Sequence, residues 1–360
     1  MGQVFDEAPA HAADEESCGR PKRPGWVARL DRYQRSHRRL SFPLSVAYKF
    51  GDDQGFYLAA LITFYGFLSL FPLLLVLLAV LGVVLEGNPG LQSDIVNSAL
   101  NQFPIIGDDL SDPKRLGGSA LTITLGVLIS LYGGLGIAQA LQHAMNVAWG
   151  VPRNERPNPL RVRLRSLRLL GLGGLSIVAT TVLSALGSNA QAFGADVTQG
   201  VAVALTAASV LINGALFVLL FIFGTARRLR VRDVAIGALL AAVTWQALQF
   251  FGTVFLGTTF KHASATNSVF GLVLGVIASI HLESIAVVFC VELNAVRVRR
   301  LYPRALLTPF TDSVSLTKAD EQAYASYAQA QRHKGFQKID VEFDQPRPDG
   351  PGSTGDDPGT

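Results

Sequence analysis

Ionisable side chains stranded in otherwise uncharged stretches are the residues best placed to do chemistry, and two of them stand together. His281 and Glu283 interrupt an apolar run, and Glu292 and Asn294 follow near its end. A carboxylate carried into hydrocarbon costs about 3 kcal/mol on insertion scales, which makes Glu283 a candidate for function by default. Two readings stand for it: a structural carboxylic acid hydrogen-bonded across helices, or a proton-responsive or headgroup-binding site beside His281. Asn213, Gln246 and Gln249 are the polar residues of other apolar runs from which a partner would come. At 100° per residue His281, Ile285, Val288 and Glu292 share one stripe, and Ser279, Glu283, Cys290 and Asn294 share another. Both stripes are expected to face protein. Glu292 and Asn294 are expected to be structural, capping neighbouring helix termini or pairing with Arg297 or a loop arginine.

A second polar group is Gln139, Gln142, His143 and Asn146, spaced i, i+3, i+4, i+7 on one helical face. It either lines a vestibule or is solvated, and Trp149 just beyond it is an expected interfacial anchor. Enzyme chemistry has no such support. Metal-assisted hydrolysis needs clustered His and carboxylate ligands. His11, His37, His143, His262, His281 and His333 form no His-x-His or HExxH pair. There is no GxSxG elbow and no GxxxxGK[ST] phosphate loop. Cys18 and Cys290 offer neither a disulfide framework nor a zinc site. The chain is expected to be no enzyme, with no catalytic residue, no metal ligand set and no cofactor.

The elements that must position these residues are read from where charge is missing. Hydrophobic residues make up 49% of the 360 residues, charged ones 16%, and mean hydropathy is positive at +0.33. Soluble domains carry about 25% charged residues. Residues 54–85, 116–152, 169–195, 197–226 and 234–260 hold no charged side chain, and 268–296 is interrupted only by Glu283 and Glu292. About 20 apolar residues in a helix cross a bilayer core. With no period-2 alternation, helices are expected over a barrel. The spacing predicts an all-α polytopic membrane bundle of six transmembrane helices, at about 60–84, 119–139, 169–188, 202–224, 236–257 and 269–294. Pro72 is expected to kink the first. Glycines 133, 134, 136, 171, 173 and 174 are expected to let helices approach closely. No inverted repeat relates the two halves, which argues against several transporter folds.

Lys and Arg set the orientation. They crowd the segment before the first span, the loops holding Arg153–Arg168 and Arg227–Arg232, and the exit of the sixth span at Arg297–Arg304. The opposite loops carry only Lys114, Arg115 and Lys261. The positive-inside rule then puts both termini in the cytoplasm. Those arginines suit anionic lipid headgroups. Without interleaved aromatics or an RNP-like motif they predict no nucleic-acid partner. Residues 1–25 are expected to be a disordered cytoplasmic N-terminus, too polar for a signal peptide. Residues 26–55 are expected to form an amphipathic helix at the headgroups. The transmembrane domain occupies 56–305, and 306–360 is expected to be a mostly disordered tail. Within loop 86–116, Leu91, Ile95, Leu100 and Phe103 suggest a short amphipathic helix capping the bundle.

The segments LAALITFYGFLSLFPLLLVLLAVLG (Leu58–Gly82), GLGIAQALQHAMNVAWGV (Gly134–Val151), RRLRVRDVAIGALLAAVTWQALQFFG (Arg227–Gly252) and VELNAVRV (Val291–Val298) resemble, in order and spacing, the YihY/BrkB family of bacterial inner-membrane proteins. The resemblance covers about residues 40–305. It implies a six-helix bundle in the cytoplasmic membrane and a link to envelope integrity. The family's former label, ribonuclease BN, is a misassignment, and some members have been proposed to move lipids or lipopolysaccharide precursors. Many members have an aromatic and a small residue where this chain has His281 and Glu283, so no family role carries over to those two. The expected function is support of the envelope by moving or gating a lipidic or amphipathic substrate. The alternative is a non-transporting scaffold for envelope machinery. Membrane lipids, and in the second case envelope proteins, are the expected partners.

Overall fold

A computed structural model of the chain describes residues 25–84, 120–189, 199–259, 265–306, 308 and 314–343. All regular structure among them is helical: α1 (Gly25–Ser36), α2 (Arg38–Asp52), α3 (Gly55–Val84), α4 (Ala120–Ala148), α5 (Pro159–Asn189), α6 (Gln199–Gly224), α7 (Val231–Thr259), α8 (Ala265–Arg299) and α9 (Lys318–Ala330), with one short 3-10 turn at Arg153–Glu155. The six from α3 to α8 run for 26–35 residues each. Long stretches of each are apolar, rich in Leu, Val, Ala and Gly, with charge confined mostly to their ends. Among the described residues three stretches are long and apolar enough to cross a bilayer, Ala207–Gly224, Val231–Phe251 and Val273–Arg299, and Gly55–Leu70 is a shorter apolar one.

The long helices pack in chain order, each on the next, and α8 returns to α3. The result is a closed ring in which α4 also touches α6 and α8. α3 and α4 approach most tightly. A Cβ at Gly133 would lie 2.7 Å from Ser69 Cβ, and one at Gly136 would strike the Tyr65 ring. Gly134 likewise admits Leu170 of α5. Gly171, Gly173 and Gly174 behave differently from expectation, since a Cβ at any of them meets nothing within 4 Å. They permit no close approach, because this stretch of α5 borders open space. Phe56, Tyr57, Tyr132, Phe250 and Phe251 stand 61–75% exposed around the outside. Bulky apolar side chains facing outward from a ring suit lipid.

At the end where α4, α6 and α8 finish, the ring is solidly filled by Met145, Trp149, Phe221, Val234, Cys290 and Ala295. Three helices beyond the ring gather here. α2 lies on α8 and buries Val46 and Phe50. The single amphipathic helix expected over 26–55 is therefore two, broken at His37, which stands extended ahead of α2. Trp26, Leu30, Tyr33 and Leu40 keep an exposed apolar face.

The expectation of a mostly disordered tail from 306 onward is corrected by α9. Thr317 Oγ1 accepts from the Asp320 N–H and Asp320 Oδ2 from the Thr317 N–H, a reciprocal cap that starts the helix. Ala319, Asp320, Ala323 and Ser326 form its buried face. The Pro-, Gly- and Asp-rich composition that suggested disorder belongs to the last residues, 344–360, which lie outside the described set together with 1–24. The helix expected within 86–116 lies outside it too. α3 continues through Pro72, whose side chain is also outside that set.

Candidate functional site

Between the helices of the ring lies a partly open cavity of about 620 Å³ to which all six contribute. α8 presents Ile280, Glu283, Ser284 and Val287, an i, i+3, i+4, i+7 stripe. α6 supplies Ser209, Asn213, Phe217 and Leu220, and α7 supplies Trp245, Gln246 and Gln249. Ile62, Gly66 and Ser69 of α3, Leu131 to Leu141 of α4, and Gly173 and Gly174 of α5 complete a largely apolar wall. Among the described residues Glu283 is the one ionisable side chain lining it. Ser284 Oγ donates to the Ile280 carbonyl at 2.7 Å and Ser69 Oγ to the Gly66 carbonyl at 3.1 Å, so both hydroxyls are turned back on their own helices. The Glu283 carboxyl, the amides of Asn213, Gln246 and Gln249 and the Trp245 indole are among the polar groups of the lining residues that can bond a guest.

His281 is two positions from Glu283, or 200° around the helix, and faces elsewhere. Its Nδ1 lies 3.1 Å from Thr63 Oγ1 on α3. That hydroxyl already donates to the Ala59 carbonyl at 2.7 Å, so the ring nitrogen is the donor. The stripe His281, Ile285, Val288, Glu292 faces α2 and α3, with Val288 among Phe50, Leu58 and Ile62. Of the other stripe, Glu283 lines the cavity, Cys290 is buried in the filled end and Asn294 meets α7, whereas Ser279 is exposed, against the expectation that it faces protein. Asn294 Oδ1 accepts from the Gly237 N–H at 3.0 Å, and its Nδ2 donates to the Val234 carbonyl at 3.1 Å. Arg297 adds donors to the Arg232 and Asp233 carbonyls. α8 is thereby clamped onto the first turns of α7.

The polar stripe on α4 divides. Gln142 and Asn146 are buried. Gln142 Nε2 donates to Ser166 Oγ of α5 at 2.9 Å, and Asn146 Oδ1 accepts the Ala226 N–H at 2.8 Å. These two lock helices together and neither line a vestibule nor meet solvent. Gln139 and His143 are exposed. Part of the His143 ring is nonetheless shielded, and that desolvation, with Arg156 and Arg153 nearby, pulls its pKa below the ordinary value. Arg156 Nη1 lies 3.4 Å from His143 Nδ1.

A cluster of buried charge at the filled end was missed from sequence. Lys49 of α2 bonds Asp53 and lies 3.3 Å from Glu292 Oε2, all three being almost wholly buried. Glu292 therefore pairs with neither Arg297 nor a loop arginine. Arg304 is 1% exposed and joins Asp52 of α2 at 2.5 Å to Asp320 of α9 at 2.8 Å, with its guanidinium over the rings of Tyr48 and Tyr324. Burial opposes its charge, but Asp52 and Asp320 outweigh that and raise its pKa. The Tyr327 phenol is pushed up by burial and by Asp53, Asp52 and Glu292. The Lys49–Asp53 spacing of i, i+4 was the one local signal available.

The virulence factor BrkB family matches residues 46–311. An uncharacterized protein of Dickeya dadantii (strain 3937) is 29% identical over 285 residues, covering 74% of this chain and 84% of its own length. The inner membrane protein YhjD of Escherichia coli (strain K12) is 25% identical over 259 residues, covering 67% of this chain and 76% of its own. No solved structure matches the chain. A match over most of the chain, on the same helices that build the ring, makes this a membrane protein of the BrkB family, also called YihY.

Proposed function

We propose that α3 to α8 carry six transmembrane spans of a bacterial inner membrane, at about 60–84, 119–139, 169–188, 202–224, 236–257 and 269–294, with His143 beyond the second and both termini cytoplasmic, and that the ring binds and translocates a lipidic or amphipathic substrate. The observation that carries this reading is the cavity of about 620 Å³ inside the ring, apolar but reached by Glu283 and three side-chain amides. A non-transporting scaffold would have no need of such space between its helices. Substrate sites between helices near the bilayer midplane are the usual arrangement in transporters. The filled end, with its arginines and buried charge cluster, serves as the cytoplasmic base. The family label and the inner-membrane location of the Escherichia coli relative are consistent with an envelope setting.

Purified full-length protein in liposomes tests this. Wild type is expected to accelerate exchange of tail-labelled phospholipid between leaflets above protein-free liposomes, and Glu283→Gln to change that rate. Exchange no faster than in protein-free liposomes, with envelope proteins still recovered on crosslinking, would give the role to the scaffold.

A further inference from the structure

The cavity wall carries a selectivity of its own. Among the described residues Glu283 is its only ionisable side chain, with no Lys, Arg or His to oppose it. Most basic residues among those described gather instead around the filled end, which Met145, Trp149 and Phe221 pack. A lone acidic group in low-dielectric surroundings is costly to ionise without a counter-charge, so a bound cation that supplies one is favoured there and a phosphate-rich anion is not. Trp245 and Phe217 also line the cavity and pack together, ring centroids 6.4 Å apart, offering aromatic faces of the kind that hold ammonium groups. Asn213, Gln246 and Gln249 supply neutral donors and acceptors for whatever polar atoms flank the cation. The remaining wall is apolar and suits a hydrocarbon chain. A volume of about 620 Å³ lies inside the usual range for small-molecule sites, about 300–1,000 Å³.

We infer that the cavity is a binding site for an amphipathic ammonium, a protonated amine on an apolar body, with Glu283 as its counter-ion, and that it discriminates against anionic amphiphiles. This rests on the proposed translocation only in taking the cavity as the substrate site. The amine has two possible sources: the headgroup of an aminophospholipid or a free long-chain amine.

Calorimetric titration of the full chain in non-ionic detergent tests it, using dodecylammonium, dihexanoyl-phosphatidylethanolamine and dihexanoyl-phosphatidylglycerol as probes. At least one amine probe is expected to bind saturably, with affinity about tenfold weaker in Glu283→Gln, as loss of a charged hydrogen-bond partner implies. Glu283→Asp keeps the charge and is expected to retain binding, which separates loss of the counter-ion from loss of the fold. Binding of both amine probes assigns the site to a lipid headgroup, and binding of dodecylammonium alone to a free amphiphile. The inference is overturned if phosphatidylglycerol binds as tightly as phosphatidylethanolamine, if Glu283→Gln leaves amine affinity unchanged, or if no amine binds saturably. Intact amine binding without leaflet exchange would sink translocation and leave the site standing.

Discussion

Arg304 cannot shed its proton, so its burial holds only while Asp52 and Asp320 accept from it. Replacing it by alanine removes the counter-charge of both, and breaking a buried pair costs at most about 3–5 kcal/mol, less here because Asp320 keeps the Thr317 and Ala305 N–H groups and Asp52 is partly exposed. Arg304→Ala is expected to lower the melting temperature in detergent and to expose the Lys318–Ala330 helix to proteolysis, with unchanged cleavage there as the contrary result. His143 gives a dependence on pH. Its pKa is lowered from 6.5 in the folded chain, so the unfolded chain takes up a proton first. The stability it contributes is present above about pH 6.5 and lost as pH falls toward the depressed folded value. Wild type should therefore lose melting temperature on acidification below that point, and His143→Gln should lose less; equal losses would remove His143 as the cause. At this scale the sequence was informative where charge was scarce. Glu283 stood out, and Asn213, Gln246 and Gln249 were the polar residues that could join it. His281 was rightly put on a different stripe from Glu283, and its contact with Thr63 leaves it out of the cavity lining that Glu283 joins. Lys49 and Glu292 could not be paired, since nothing local joins α2 to the end of α8.

Helix–helix distance is set by what each residue puts at the contact. Gly133 sits so close to Ser69 that a side chain there must displace α3 or α4, and overpacking of this kind costs about 1–3 kcal/mol. Gly133→Val is expected to lower the melting temperature in detergent. Gly171→Ala, with nothing within 4 Å of its new methyl, is expected to leave it unchanged or raise it. The reverse ordering would refute the α3–α4 packing described above. Sequence composition identified both glycine groups as small-residue contacts but could not say which had a neighbour. It did locate the six long helices, because charge-free windows of this length have few other solutions. Helices α5 and α8 extend past those windows into arginine-bearing turns, where hydropathy no longer marks a helix that hydrogen bonding continues. α9 was hidden for another reason. Its Thr317–Asp320 cap and Ala319–Ala323 spacing are local signals, but they were averaged with the polar residues that follow.

For the whole molecule, the decisive contact is α8 against α3, which closes the row of helices into a ring. Chain-neighbour packing is expected of sequential helices joined by short connections. Closure is not, and without it there is no cavity shared by six helices, so the site's residues were legible singly and the site was not. Closure also gives adjacent residues opposite surroundings. Gln249 faces the cavity, whereas Phe250 beside it is 63% exposed on the outside of the ring. Leaflet exchange of labelled phospholipid in proteoliposomes, compared between Gln249→Trp and Phe250→Trp at matched reconstitution and melting temperature, therefore tests the account most directly. Filling the cavity at 249 is expected to bring exchange down to the protein-free rate while the outward substitution at 250 leaves it at the wild-type rate. Equal rates in the two variants would contradict a substrate route through the ring.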